Sequence, residues 1–278
     1  MKTFIRILII CVMSAAVAAV VMLSKQRIVR TVEKEPEGPA FTTLKSFQFA
    51  SQGELATWEE KLLSKKNTIY TVGQYSGKTC VKAESNDSAS TRFFKQTLEN
   101  GKWPVIAWDW AVEVFPKHVK EESLSSKKEF DFAAQIYVVF YSRFFLNTRA
   151  IQYLWATGLP PGMVSDNPYT KNVKVMVLES GPFEGWKHEE RNIRDDYKTL
   201  FGEELGKDVV GVAFMTDADS TDSTAIAYYT GFTLGYVDMT KKNEVVPVPE
   251  TKEEETGTWS WLTGLLKPQK IDNKGGGH

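Results

Sequence analysis

The densest set of side chains able to do chemistry lies in one short loop: Asp217, Asp219, Ser220, Thr221, Asp222, Ser223 and Thr224. It falls inside VVGVAFMTDADSTDSTAIAYYTGFTL, from Val209 to Leu234. Carboxylates and hydroxyls clustered in this way are hard oxygen donors, the ligand type that Ca2+ takes. The spacing departs from the helix-loop-helix calcium pattern. Thr221 and Asp222 stand at its fifth and sixth positions, where an acid or amide and then glycine belong, and Tyr228 replaces the closing glutamate. The alternative is a turn whose Asp, Ser and Thr side chains satisfy local backbone donors. Apart from calcium, no cofactor is expected.

A second chemical pattern is WPVIAWDWAVEVF, where Ile106, Trp108, Trp110, Val112 and Val114 alternate with Ala107, Asp109, Ala111 and Glu113. Tryptophan faces pack on sugar rings and a neighbouring carboxylate accepts hydroxyl protons, so Trp108 and Asp109 can serve a carbohydrate platform. The alternation favours the plainer reading, because Trp108 and Trp110 share a face with Ile106 and Val112 and are expected in the core. Asp109, Glu113 and Glu179 are carboxylates of the kind a glycosidase pairs across a cleft. Of the three histidines, His118 sits in a charged loop, His188 in the charged WKHEER segment, and His278 is the last residue, so no ligand pair or nucleophile relay is visible. No GxSxG elbow, phosphate loop or dinucleotide fingerprint is present.

The elements that must position these residues read as strands. Small and β-branched residues before the acidic loop, and Ala/Ile/Tyr alternation after it, suit half-buried strands, which deliver the loop to an edge or end of a β-structure. IYTVGQYSGKTCVKAES, Ile69 to Ser85, is a hairpin about Ser76-Gly77. A short helix is expected at Trp58 to Leu63, and SNDSASTR (Ser85 to Arg92) is polar and small. His118 to Phe130 is too polar for a strand. DFAAQIYVVFYSRFF, Asp131 to Phe145, reads as a central strand covered on both sides. Strands at Ile151 to Trp155 and Val173 to Leu178 flank GLPPGMVSDNPYT, whose prolines and glycines predict irregular structure. Asn192 caps a helix on which Ile193, Tyr197, Leu200 and Phe201 share a face, with Arg191, Arg194 and Asp196 solvated or ion-paired and Gly202 ending it.

Composition bounds the class. The chain has 278 residues, 25% charged and 12% aromatic, the make-up of a globular protein. Its formal net charge is −1 with dispersed basic residues, which excludes an electrostatic footprint for nucleic acid. Cys11 and Cys80 are too few for a disulfide framework or a cysteine metal cluster. Residues 1–24 start with Lys2 and Arg6 and continue apolar, which reads as a signal peptide or a retained signal anchor. Residues 25–40 form a linker, 41–238 the β-sandwich domain, and 239–278 a flexible tail with a short apolar segment, WSWLTGLL.

The order WPVIAWDW, IQYLWA, a valine strand followed by ESGP, WKHEERNIRDDYKTLFGEE and the acidic-loop stretch resembles a bacterial family known as domain of unknown function 3047, over roughly Phe47 to Leu234. The family brings no established activity. What the resemblance implies is one exported domain similar to the galactose-binding jelly rolls of carbohydrate-binding modules: mainly β, a jelly-roll-like antiparallel β-sandwich with one or two short helices after an N-terminal hydrophobic helix. A jelly-roll type metal site would use Asp217, Asp219 and a backbone carbonyl.

The expected function is a non-catalytic sandwich at the cell envelope, periplasmic or otherwise extracytoplasmic, held at the inner membrane if the leader is retained. It would bind a glycan or an envelope protein through Trp108, Asp109, Asp217, Asp219, Asp222, Thr224 and Tyr228. An assembly or scaffold factor, and a glycan-processing enzyme, are the readings from other classes.

Overall fold

The computed structural model describes residues 41–144 and 147–238, so the leader, linker and tail expected from the sequence lie outside the described residues. Thirteen strands are described: β1 (Phe41–Phe47), β2 (Glu59–Leu62), β3 (Ile69–Tyr75), β4 (Lys78–Asn86), β5 (Ala89–Leu98), β6 (Pro104–Val114), β7 (Ala134–Phe140), β8 (Ala150–Ala156), β9 (Val164–Asn167), β10 (Thr170–Ser180), β11 (Lys187–Asn192), β12 (Val209–Asp217) and β13 (Thr224–Val237). Two short α-helices join them, α1 (Gln52–Leu55) and α2 (Ile193–Phe201).

The strands form a two-layer sandwich. One sheet runs β11-β6-β13-β4-β3, with β1 also paired to β13, and the other runs β2-β5-β12-β7-β8-β10-β9. For brevity these are the first and second sheets. All pairings are antiparallel except β10 on β8, which is parallel. The mainly β, largely antiparallel sandwich with two short helices is the one expected, and the parallel pair arises from a crossover: the chain leaves β8, forms β9, and returns through a hairpin to lie beside β8 in the same direction.

Alternation decides the core. Trp108 and Trp110 of β6 are fully buried, meeting at right angles at 5.4 Å, with Tyr153 and Trp155 of the opposite sheet 5.5 and 5.6 Å away. Trp108 therefore cannot touch a ligand, which removes it from the expected binding set. A second aromatic group, Phe47, Phe49, Trp58, Phe214 and Phe232, closes the other part of the core.

Three local expectations give way to tertiary packing. Trp58 to Leu63 is not a helix. The helical turn lies earlier, in α1, where Ser51 Oγ accepts from Glu54 N at 3.3 Å, and Glu59–Leu62 becomes an edge strand on β5. The GLPPGMVSDNPYT loop contains β9, since Pro161 and Pro168 flank that edge strand rather than interrupt it. The Asp131 to Phe145 strand is also shorter, β7 spanning Ala134–Phe140.

The hairpin holds as expected, with Ser76 (φ 43°) and Gly77 (φ 81°) in its turn. So does α2, capped by Asn192 Oδ1 accepting from Arg194 N and Asp195 N, and ended by Gly202 at φ 72°. Asp196 is buried and ion-paired, held by Arg191 Nε at 2.9 Å and by Tyr153 OH at 2.7 Å.

Replacing Trp108 by alanine is expected to cost about 3–5 kcal/mol of stability through the cavity it leaves. Urea denaturation measures this, and a loss below about 1 kcal/mol would contradict the core assignment.

Candidate functional site

The acidic loop connects β12 of the second sheet to β13 of the first, so it bridges the two layers at one end of the sandwich. The buried groups around it organise that end. Asp217, the last residue of β12, accepts with Oδ1 from Phe132 N at 2.9 Å and from Gln135 Nε2 at 2.6 Å. Asp131, fully buried, holds the loop itself: Oδ2 accepts from Thr221 N and Thr221 Oγ1, both at 2.7 Å, and Oδ1 from Ser220 N at 3.3 Å.

Asp131 comes from a segment that crosses the outer face of the second sheet. Residues 115–133 lay Leu124, Phe130 and Phe132 onto Leu154, Ala156, Val175 and Val177, forming a small apolar core outside the main one. Beside it runs a line of polar side chains. Asn167 Nδ2 donates to Gln152 Oε1 at 2.9 Å, Gln152 Nε2 to Gln135 Oε1 at 2.7 Å, and Gln135 Nε2 to Asp217. Tyr137 OH also donates to Gln135 Oε1, at 2.9 Å. Gln135 and Gln152 are buried, and a buried polar group held in this way has a fixed orientation.

Asn167, Tyr137 and Asp217 also border a cavity of about 340 Å3, which Phe130, Tyr169, Asp219 and Ser220 help to line. Tyr169 is 57% exposed, and its ring meets Phe130 edge-on at 6.1 Å. Its hydroxyl donates to Lys127 O at 3.1 Å.

The electrostatics are unbalanced. Carboxylate oxygens of Asp131, Asp217 and Asp219 lie within 4.8 Å of one another. Burial, then the Asp131 charge, push the Asp217 carboxyl well above the usual carboxylate range, and burial with Asp131 raises Asp219 as well. The donors are all hard oxygens, the type a cation such as Ca2+ takes, and the raised carboxyls favour proton binding in its place.

The other expected site residues go elsewhere. Asp222, at φ 48°, and Thr224 are exposed; Asp222 borders a separate groove with Lys66, Asp87 and Asp219, where Lys66 Nζ pairs with Asp87 at 2.5 Å. Asp109 and Tyr228 lie on the outer face of the first sheet, across the sandwich from the cavity. Asp109 is bound there by Lys78 at 2.6 Å and His188 Nδ1 at 2.7 Å. Tyr228 stacks on Tyr75 with ring centres 3.9 Å apart and donates its hydroxyl to Glu113.

Of the three carboxylates considered for a glycosidase pair, Asp109 and Glu113 do not converge. Asp109 and Glu113 point from one face of β6 four residues apart, roughly 13 Å along the strand, and Glu179 is tied to Lys187 at 3.2 Å. Glu189 on β11, paired with Trp108 and so on the inner side of the sheet, is a carboxyl that sequence reasoning missed: burial, then the charge of Glu179, push it up to about 7.

Asp131, Gln135, Gln152, Asn167 and Tyr169 were also absent from the expected set. The Asp131 to Thr221 contact joins residues 90 apart in sequence, so no local motif announces it. The one available signal was compositional, an aspartate between two phenylalanines in Phe130-Asp131-Phe132.

The raised Asp217 carboxyl has a signed consequence for stability. A folded-state value above the unfolded one means the native state holds the proton more tightly. The associated stability is complete below the unfolded aspartate range and is lost as pH rises through the raised value. In chelator, thermal stability should therefore fall as pH is raised from the ordinary aspartate range. Asp217→Asn, which keeps the Oδ1 acceptor, should flatten that dependence in melting curves; an unchanged slope would contradict the assignment.

Among curated proteins, none matches the sequence. Solved structures that share the outline include the Family 11 carbohydrate-binding module of cellulosomal cellulase Lic26A-Cel5E of Clostridium thermocellum, at 8% identity and TM-score 0.37, covering 72% of this chain and 96% of that one. The K3 cleaved adhesin domain of Lys-gingipain from Porphyromonas gingivalis aligns at 10% identity and TM-score 0.33, covering 70% and 99%. A cellulase derived from Cel12A of Rhodothermus marinus aligns at 7% identity and TM-score 0.34, covering 64% and 95%. None of these likenesses bears on what this chain binds. The model of the family Protein of unknown function (DUF3047) matches residues 56–233, from β2 into β13 and including the acidic loop and Asp131, and the chain belongs to that family.

Proposed function

We propose that the protein is an exported, non-catalytic β-sandwich that binds a glycan in the cavity between Tyr169 and Asp219. The observation that carries this reading is the buried side-chain relay Asn167–Gln152–Gln135–Asp217, which fixes two side chains of that cavity's lining, Asn167 and Asp217, beside the exposed ring of Tyr169. Tyr169 offers a face for the C–H side of a sugar ring, while Asp219, Ser220 and Asn167 offer hydrogen-bonding partners for its hydroxyls. Groups already fixed by their own hydrogen bonds lose little entropy when a ligand arrives. A volume of about 340 Å3 lies at the lower end for small-ligand sites, which suits one terminal sugar better than a long chain.

Export rests on the charged-then-apolar residues 1–24, and a retained leader would keep the domain at the inner membrane. We also assign calcium to the Asp131, Asp217 and Asp219 trio, where it would neutralise charge and lock the acidic loop that forms one cavity wall.

A glycan array probed with the intact chain should retain a defined set of sugars. Tyr169→Ala should weaken binding about tenfold or more, ~1.4 kcal/mol, with little change in melting temperature, and Asp219→Ala should weaken it as much while keeping the wild-type melting temperature in chelator. Absence of any retained glycan, with co-purification of one membrane complex instead, would replace this reading by that of a scaffold factor. Calcium at a hundred times its dissociation constant should stabilise the fold by about 2.7 kcal/mol over chelator in thermal melts, and Asp131→Asn should abolish the response.

A further inference from the structure

Residues 115–133 reach the cavity by way of a charged cluster that the proposed binding site does not use. The side chain of His118 is 6% exposed and lies between two carboxylates that are each 7% exposed, Glu122 and Glu129. Its Nε2 is 3.6 Å from Glu122 Oε1 and its Nδ1 is 3.6 Å from Glu129 Oε2. Neither ring nitrogen has a hydrogen-bond partner among the described residues, so charge, more than directed bonding, binds the three groups together.

The two glutamates are the fasteners of the segment. Glu122 accepts from the backbone N–H groups of Thr157, Gly158 and Leu159 at 2.7, 2.8 and 3.1 Å, pinning the crossing chain to the loop after β8. Glu129 accepts from Val119 N at 3.2 Å and closes the segment on itself. Just beyond that closure come Phe130, a wall of the cavity, and Asp131, the anchor of the acidic loop.

We propose that His118 is a pH-sensitive positioning residue for the Tyr169–Asp219 cavity: protonated, it clasps residues 115–133 over the second sheet and so holds Phe130 and Asp131 in place, and on losing its proton it releases them. The inference rests on the reading of that cavity as a binding site.

The physical reason is the cost of buried carboxylates without a counter-charge. With His118 charged, Glu122 and Glu129 each have a cation at 3.6 Å; with His118 neutral, two carboxylates remain buried and close to Asp131, also buried. Removing one partner of a buried charge pair is strongly destabilising. His118 and Glu122 form part of the wall of an open cavity of about 820 Å3, and the charged groups beside them there, Lys117, Lys120 and Glu121, are exposed, so they do not replace the imidazolium.

Burial alone would lower the His118 value, but Glu122, then Glu129 and Asp131, outweigh it and raise it. The clasp is therefore complete below the ordinary histidine range and is lost as pH climbs through the raised folded value. Glu122 is itself held below the usual carboxylate range, because His118 and the three backbone donors outweigh its burial, so mild acid leaves the clasp closed.

Hydrogen exchange of the intact chain, corrected for the intrinsic pH dependence of exchange, tests this without a ligand. Between pH about 6 and about 9, protection of residues 115–133 and 216–224 should fall together by about tenfold or more. In His118→Gln both segments should already exchange fast at the lower pH and show no further response, which separates His118 from the titration of Asp217. If that variant does not fold, the wild-type series decides alone. Equal protection across the range, or loosening of 115–133 while 216–224 stays protected, would overturn the proposal. Failure of the binding reading would look different: no glycan retained at any pH, with the exchange pattern intact.

Discussion

Everything at the functional end depends on one buried carboxylate. Asp131 accepts three hydrogen bonds from Ser220 and Thr221, so a single side chain from residues 115–133 fixes the loop that joins the two sheets. Hydrogen bonds to an ionised acceptor are about twice as strong as neutral ones, and these are out of water. The same charge faces Asp217 and Asp219, so the arrangement that orders the loop also creates an electrostatic deficit. A site that needs a proton or a cation to be complete is a natural place for a ligand-responsive element.

The sandwich supplies the rigidity that makes this deficit tolerable. Aromatic residues from both layers interlock, Trp108 on Tyr153, Trp110 on Trp155, Trp58 on Phe214 and Phe232. Trp58 and Trp108 accept a loss for it, since their indole N–H groups make no hydrogen bond within the protein. Large apolar area removed from water outweighs that loss, each fully buried aromatic contributing several kcal/mol. Backbone approach is equally tight where β5 meets β12: a Cβ at Gly211 would lie 2.4 Å from the Phe93 ring and 2.6 Å from Phe94 O, so only glycine fits.

Two opposite surfaces of the molecule thus carry chemistry of different kinds. On the second sheet, amides and carboxylates are held by buried hydrogen bonds under a half-open cavity. On the first, Tyr75, Tyr228 and Trp186 pack on one another over Cys80 and Ala111, while Asp109 is ion-paired with Lys78 and hydrogen-bonded to His188. The expected site residues were drawn from both surfaces and from the core between them. Alternation along β6 separates Trp108 from Asp109 by one residue and by the full thickness of a sheet.

Local pattern was enough to determine much of the architecture. Period-two alternation placed Trp108 and Trp110 inside, Ser76-Gly77 made the hairpin turn, and Asn192 with Gly202 bounded α2, because each of these depends on neighbours within a few residues. The acidic loop was legible as a cluster for the same reason, and the family resemblance carried the sandwich. Only the tertiary structure could decide what the cluster faces. Asp131 reaches Thr221 across 90 residues, Gln152 joins Gln135 across 17, and β10 lies parallel to β8, all set by how strands pair and which face a crossing segment covers. Propensity has no term for such pairings, since the free energy that selects them comes from burying surfaces that are distant in sequence until the chain has folded.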